Sequence, residues 1–225
     1  MPVAIIREES SLALHWEHIV YTLARLSAHP LGKPFVGDFK ALEKRHAAVE
    51  AGQRGVWRDE VLAQAAVDAV DDTLDDATRE LSRQLRFVDG DRSARVKRYF
   101  PKPATRFTAL GLQSQIEALA SWPQSLKAEP EPVLKKLAAD VQGAITAAKS
   151  VLDDRIAAAA ARADHRVREI VRFSDDHNRL RLATHAALTS AGVKASLSRD
   201  FADRFFRRES RESGDPEVVA PPKPA

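Results

Sequence analysis

Apolar and small residues recur at helical spacing through most of the sequence, and the longest such run lies between Pro132 and Ala191. Within this run there is no further proline and only one interior glycine, Gly143. The apolar positions follow a 4-4-3 spacing, an eleven-residue repeat of about 3.67 residues per turn. We therefore predict one continuous, nearly straight α-helix of about 85–90 Å. A helix of that length needs partner helices or neighbouring subunits to cover its apolar face.

The core positions predicted for this long helix return from the eleven-residue spacing to heptad spacing in its C-terminal part. The first set is Leu137, Val141, Ile145, Ala148, Leu152, Ile156, Ala159, Ala163, Val167 and Ile170, and the second is Phe173, His177, Leu180, Thr184 and Leu188. Five consecutive alanines, residues 157–161, are small enough to let another helix approach closely. Gly192 is in a suitable position for the C-cap.

Two helices are predicted in the N-terminal part of the chain. Ser10 or Ser11 can cap the first, which has a heptad seam at Leu12, Trp16, Ile19, Leu23 and Leu26. Asp38 can cap the second, which extends to about Val88. Its seam includes Phe39, Leu42, His46, Val49, Val67, Leu74 and Leu81. Gly52 and Gly55 weaken this pattern, so residues 51–58 are predicted as either a loop or a kinked helix.

The remaining segments complete an all-α fold. A third helix is predicted from about Thr105 to Trp122, ending before Pro123, and a short last helix begins at Ser196 or Ser198 and ends near Arg208. We predict an elongated antiparallel helical bundle of about four main helices, two of them long, in a single domain over residues 1–212. A proline-rich tail, residues 213–225, is predicted to be disordered. Short sequence similarities also allow a duplication of residues 10–90 and 105–191.

Composition narrows the classes of function. The chain has 225 residues, nine glycines, two tyrosines and no cysteine, which favours an all-α protein and excludes disulfides, thiolate zinc sites and cysteine nucleophiles. The net charge of +3 is too small to indicate nucleic-acid binding by itself. The apolar run near the N-terminus is too short for a signal peptide, and no stretch approaches the roughly 18 apolar residues of a membrane span. We therefore expect a cytoplasmic protein.

Histidines and carboxylates supply two weak candidates for chemistry. His15, His18, Glu43 and His46 have spacings that could suit a metal, although the second Glu-x-x-His motif of a di-iron bundle is missing. The helical positions predict His46 in the core, His15 and Glu43 beside it and His18 further out. The acidic cluster consists of Asp68, Asp71, Asp72, Asp75, Asp76 and Glu80. It is interpreted as a solvated face or as a surface that docks against arginines of the long helix.

Two basic segments interleaved with aromatic residues form the third candidate, because arginine beside aromatic rings serves both phosphate contact and protein interfaces. The first contains Arg92, Arg95, Lys97, Arg98 and Arg106. The second contains Arg199, Phe201, Arg204, Phe205, Arg207 and Arg208. Phenylalanines that pack inward beneath outward-facing arginines would explain the same pattern without a ligand.

No helix-turn-helix signature, nucleotide-binding loop or hydrolase motif is present. The leading hypothesis is therefore a non-catalytic scaffold or assembly subunit that acts through self-association or a protein partner, without a cofactor or small-molecule substrate. One alternative is a protein that binds nucleic acid or an anionic surface through the basic segments. A further alternative is a metal-dependent enzyme in the core of the helical bundle.

Overall fold

A computed structural model of the chain describes residues 5–7 and 10–207. Its regular elements are eight α-helices joined by short connections, and the described residues contain no strand, which confirms the all-α fold class. The helices are α1 (Leu12–Ala28), α2 (Val36–Asp89), α3 (Ala94–Tyr99), α4 (Ala104–Phe107), α5 (Leu112–Leu119), α6 (Trp122–Lys127), α7 (Pro132–His165) and α8 (Arg172–Lys194). Among the described residues, no helix is long and apolar enough to cross a membrane.

The chain divides into two compact units. Unit 1 comprises residues 1–51 and 167–225, and unit 2 comprises residues 52–166. Each of the two segments proposed as a duplication, residues 10–90 and 105–191, contributes residues to both units. The duplication stays a prediction. The single domain over residues 1–212 also stays a prediction. The predicted disordered tail, residues 213–225, lies outside the described residues.

Unit 1 is built from α1, the first part of α2 and α8. Its apolar core combines one face of each helix with aromatic residues of the C-terminal segment. These buried residues are Leu12, Ile19, Leu26, Phe39, Leu42, Val49, Phe173, Leu188, Phe201, Ala202, Phe205 and Phe206. Several polar side chains are buried with them, including His15, His18 and His177. Unit 1 therefore has an unusually polar interior for a helical bundle.

Unit 2 has an apolar core made by the rest of α2, the short helices α3, α5 and α6, and α7. Leucine, isoleucine and valine side chains from α2 and α7 meet a group of aromatic rings. Trp122 lies at the centre of that group, with Tyr99, Phe100 and Phe107 within 6 Å of it between ring centroids. Edge-to-face contacts of this kind add to the hydrophobic stabilisation of the core.

Helix α2 is continuous through residues 51–58, so the alternative of a loop is wrong. Gly52 has a structural role within the helix, because a Cβ atom built there would lie 2.7 Å from Cε1 of His165 on α7. The glycine thus permits close contact with α7. The predicted seam of α2 is confirmed, with Phe39, Leu74 and Leu81 fully buried.

The long C-terminal helix is also confirmed as a nearly continuous helical stretch, with a π-helical segment at Arg166–Val171 between α7 and α8. The position predicted for its end is wrong. Gly192 lies inside α8, where a Cβ atom would meet Cδ1 of Phe201 at 2.9 Å. The helix ends at Lys194, and Ser196 takes the left-handed conformation that completes the turn, with φ of 55°.

Three further predictions are wrong. The third helix is broken into α4, α5 and α6, because Gly111 takes an extended conformation as N-cap and Pro123 fits the first turn of α6. The last helix is replaced by a 3₁₀ turn at Ala202–Phe205. In α1 the buried stripe includes His15 and Thr22, whereas Trp16, which was assigned to the seam, is 48% exposed.

Gly32, in the turn between α1 and α2, provides a first test of the packing in unit 1. A Cβ atom at this position would lie 2.5 Å from the carbonyl oxygen of Leu26, which is backbone and cannot rotate away. We expect Gly32→Ala to lower the free energy of unfolding of unit 1 by about 1–3 kcal/mol. Denaturant unfolding followed by circular dichroism measures the change.

Gly37→Ala is the matched control for that substitution. No heavy atom lies within 4 Å of the Cβ position at Gly37, which is in the first turn of α2. Alanine is the better helix former, so this variant should be unchanged or more stable by up to about 1 kcal/mol. Equal stability of the two variants would contradict the proposed clash at Gly32.

Candidate functional site

One candidate site lies in unit 2, in a cleft between α2 and α7. We call it the open groove. It has a volume of about 350 Å³ and is lined by Glu60, Val61, Gln64, Arg155, Ala159 and Arg162. Trp57 lies one helical turn before Val61, and Ile156 lies one turn before Ala159, so both extend the same apolar faces. The side chains of Trp57, Val61 and Ile156 are 57%, 53% and 68% exposed.

The open groove continues a face that is covered elsewhere in unit 2. On α7, Ala159 follows Ile145 and Leu152 at heptad spacing, and both of these belong to or pack against the core beneath α5 and α6. On α2, Val61 precedes Asp75 by two heptads, and Nε2 of Gln115 on α5 donates to Oδ1 of Asp75 at 3.0 Å. The short helices therefore cover this face beside Asp75, whereas the part formed by Val61 and Ala159 remains open.

This result corrects part of the predicted seam of the long helix. Leu137, Val141, Ile145 and Ala148 are buried as predicted, but Ile156 and Val167 are exposed. The eleven-residue spacing identified an apolar face correctly, and it could not show which part of that face the short helices cover.

Charges around the open groove are balanced. Glu60 of α2 and Arg162 of α7 form an ion pair across it. In the stretch of α2 from residue 52 to 66, two arginines match two carboxylates. In residues 153–166, which end at the C-cap of α7, three arginines match three aspartates. A second surface of the same kind can therefore approach without net charge repulsion.

The first basic segment contributes mainly to an internal ion network. Arg95, which is 17% exposed, pairs with Asp89, Glu129 and Glu131, and Arg98 pairs with Glu129. The hydroxyl of Tyr99 donates to Oε1 of Glu129 at 2.9 Å. Hydrogen bonds from Arg95 lower the pKa values of Asp89 and Glu131. Burial, followed by the bond to Glu129, raises the pKa of Tyr99 to about 12.

Three predicted contact residues of this segment, Arg92, Lys97 and Arg106, are exposed. In the second segment, Phe201 and Phe205 are buried in the core of unit 1, so their rings do not present faces to solvent for stacking. Arg199 and Arg204 are exposed, and Arg204 pairs with Asp200. Arg207 pairs with Glu17, while Arg208 lies outside the described residues. This arrangement matches inward phenylalanines beneath outward arginines, and the nucleic-acid hypothesis itself stays untested.

The candidate metal residues take different positions from those predicted. His15 and His18 are both buried, each 1% exposed, so the positions beside the core and further out are wrong. His46 is buried as predicted and Glu43 is half-buried. Within the described part of the chain, no group of three or more histidine, aspartate or glutamate side chains is arranged to hold a metal ion.

The acidic cluster pairs largely within its own helix. Arg79 bonds to Asp75 and Asp76, and Arg83 bonds to Glu80. Both arginines belong to α2. Asp75, Asp76 and Glu80 therefore pair with arginines of their own helix and not, as one interpretation expected, with arginines of the long C-terminal helix. Burial, and then the neighbouring Asp75, raises the pKa of Asp71. The cluster thus behaves as a locally neutralised helix surface.

Comparison with protein-family models, with curated proteins and with solved structures finds no significant match to this chain. The geometry of the two units therefore carries the functional interpretation. The open groove places exposed apolar side chains among balanced charges. The buried histidines of unit 1 form a second unusual feature that the heptad assignment of α1 did not detect.

Proposed function

We propose that this chain is a non-catalytic scaffold or assembly subunit that self-associates through the open groove. The observation that carries the proposal is the exposure of Trp57, Val61 and Ile156 on a face that α5 and α6 cover elsewhere in unit 2. An antiparallel pair of helices buries too little apolar surface by itself. Two such pairs form a four-helix bundle, which is a common solution to that problem.

A second copy of this chain is the occupant that the charges favour. In a two-fold dimer each surface meets its own copy, so the surface must be self-complementary. The open groove has arginines on α7, including Arg155, and a carboxylate at Glu60 on α2. A two-fold rotation can place the arginines of one copy opposite the carboxylates of the other. The same charge balance offers little attraction for a polyanion.

The available area is also close to what a dimer needs. Residues 52–66 span about 22 Å of helix, and two adjacent helices are about 20 Å wide. Such a face corresponds to roughly 450 Å² of flat footprint per copy, or on the order of 1,000 Å² buried in total when side-chain relief is included. This value lies near the lower limit for a specific interface. We therefore expect a reversible dimer with micromolar affinity.

The test compares the wild type with the double variant Val61→Asp and Ile156→Asp. Burying two aspartates in the dimer interface is unfavourable, so sedimentation equilibrium should give the monomer mass of 24.8 kDa for the variant. The wild type should approach twice that mass at tens of micromolar, by the affinity expected for an interface of this size. Each sample is also checked by circular dichroism for unchanged helix content.

Val193→Asp is the matched control, because Val193 is 74% exposed on α8 in unit 1. The substitution introduces one aspartate outside the open groove, against two within it in the double variant, and should leave self-association intact. A compact wild-type monomer at high micromolar concentration would end the proposal. Equal loss of association in Val193→Asp would show that charge, and not the open groove, controls the mass.

A further inference from the structure

The interior of unit 1 contains a cluster of basic side chains contributed by all three of its helices. We call it the histidine cluster. It comprises His15 and His18 of α1, His46 of α2, and His177 and Arg181 of α8, each no more than 3% exposed. Histidine is the side chain whose ordinary pKa lies closest to physiological pH. A buried group of four is therefore a feature with chemical consequences.

The geometry of the cluster prevents His15 and His177 from both being protonated. Nδ1 of His15 lies 2.9 Å from Nδ1 of His177, so one ring donates and the other must accept with an unprotonated nitrogen. Protonation of both rings would set two hydrogens against each other. Nε2 of His46 donates to the carbonyl oxygen of Leu12 at 2.8 Å. Phe173 packs against His15 and His46 with centroid distances of 5.6 Å, which fixes the position of both rings.

The charges that face these rings also oppose protonation. Burial, together with the neighbouring His18, His46 and Arg181, lowers the pKa of His15 to about 4. Burial is also the largest cause for His177, and with the charges of His15, Arg181, His18 and His46 it lowers the pKa of that ring to about 2. These neighbours come from α1, α2 and α8 alike. A proton added to His15 or His177 in the folded unit therefore meets a low dielectric and the repulsion of Arg181 and of any other protonated ring in the cluster.

We propose that the histidine cluster makes unit 1 an acid-sensitive switch, in which proton uptake separates α1, α2 and α8 while unit 2 remains folded. The inference is independent of the open groove, which belongs to unit 2. Its physical basis is linkage between protonation and unfolding. In the opened state His15 and His177 regain the ordinary histidine pKa of about 6.5 and take up protons that the folded state excludes.

The direction and size of the effect follow from that difference. Above about pH 6.5 both states hold neutral rings, so the stability of unit 1 is complete. As the pH falls below this value, the opening equilibrium of unit 1 rises by up to about tenfold per pH unit for each ring. Between about pH 7 and about pH 5, each of the two rings, His15 and His177, raises the opening equilibrium constant of unit 1 by roughly 25-fold. Together they raise it by several hundredfold.

Hydrogen exchange measured by mass spectrometry tests the switch in the intact chain. Amide protection is compared between about pH 7 and about pH 5, after correction for the intrinsic pH dependence of exchange. Peptides from α1 should lose several-hundredfold protection, whereas peptides from α5 and α6 should keep theirs. Unchanged protection of α1 would overturn the proposal. Equal loss in both units would also overturn it, because it would indicate general acid unfolding.

The double variant His15→Asn and His177→Asn assigns the response to these rings. Asparagine places an amide near the Nδ1 position and does not titrate, so the acid loss of protection in α1 should nearly disappear. His165→Asn in unit 2 is the control and should retain the full wild-type response. A wild-type response in the double variant would overturn the assignment. If that variant does not fold, the proton uptake that accompanies acid unfolding of the wild type is measured instead. An unfolded state that binds fewer than two protons more than the folded state would contradict the proposal.

Discussion

Arg95→Gln is expected to lower the free energy of unfolding of unit 2 by about 1–3 kcal/mol, because it removes the arginine at the centre of the ion network. The buried carboxylate of Glu129 loses one of its partners and keeps Arg98 and Tyr99. The effect should be smaller than for a fully enclosed pair, since Arg95 is 17% exposed. Asp89 and Glu131 lose their partner in the same variant. Denaturant unfolding, followed by hydrogen exchange in peptides from α6, measures the change.

Two comparisons separate geometry from charge in this network. Arg95→Lys keeps the charge but cannot make the same bidentate contacts, so it should restore only part of the loss. Arg83→Gln removes an arginine whose side chain is 72% exposed and whose partner is Glu80 on the same helix. That variant should change stability by less than about 0.5 kcal/mol. A similar loss in Arg83→Gln and Arg95→Gln would contradict a special role for the network.

Phe173→Ala should have the largest effect of any substitution considered for unit 1. Phe173 is fully buried and packs edge-to-face against His15 and His46. Truncation removes these contacts and leaves a cavity beside polar groups, with an expected loss of about 3–5 kcal/mol. Because small domains are stable by only about 5–15 kcal/mol, unit 1 of this variant should unfold at markedly lower denaturant concentration.

Phe87→Ala is the control for this truncation, because Phe87 is 87% exposed on α2. Its free energy of unfolding should stay within about 0.5 kcal/mol of the wild type. Phe173→Leu provides an intermediate variant that keeps most of the apolar volume and should fold where Phe173→Ala does not. Stability that does not decrease in the order wild type, leucine, alanine would contradict the packing role assigned to Phe173.

The long helices could be predicted because periodicity reports the positions that face a partner. Phe39, Leu74, Leu81, Val141 and Phe173 recur at helical spacing, and all are buried. Local sequence was less informative where tertiary packing overrode propensity. Gly52 reads as a helix breaker in isolation, but the proximity of His165 explains it as a site of close helix contact. That contact is formed by residues far apart in the sequence.

The polar interior of unit 1 was missed for a different reason. A heptad assignment that favours apolar residues places Trp16 in the seam of α1, whereas the structure buries His15. The alternative stripe was visible in the spacing of Leu12, His15, Ile19 and Thr22, but it could not be chosen without knowing that His177 lies opposite. Buried polar residues are paired across helices, and such pairs are not visible in one helical pattern.

The open groove was predictable only in part. Ile156 and Ala159 belong to the apolar seam read from the sequence, which also indicated more seam than the short helices could cover. The division of residues 104–127 into α4, α5 and α6 decides which part of the seam is covered. That division depends on Gly111 and Pro123, whose conformations are determined by packing as well as by sequence.

The difference between the two cores also has a consequence for temperature. Exposure of apolar surface raises the heat capacity of unfolding, and exposure of polar surface lowers it. Unit 2 encloses mainly leucine, isoleucine, valine and aromatic rings with a few polar side chains such as Thr78 and Gln115, whereas unit 1 encloses four histidines and an arginine. The free energy of unfolding of unit 1 therefore varies less with temperature. Cooling well below room temperature weakens unit 2 more than unit 1, since the hydrophobic driving force on which unit 2 depends fades in the cold.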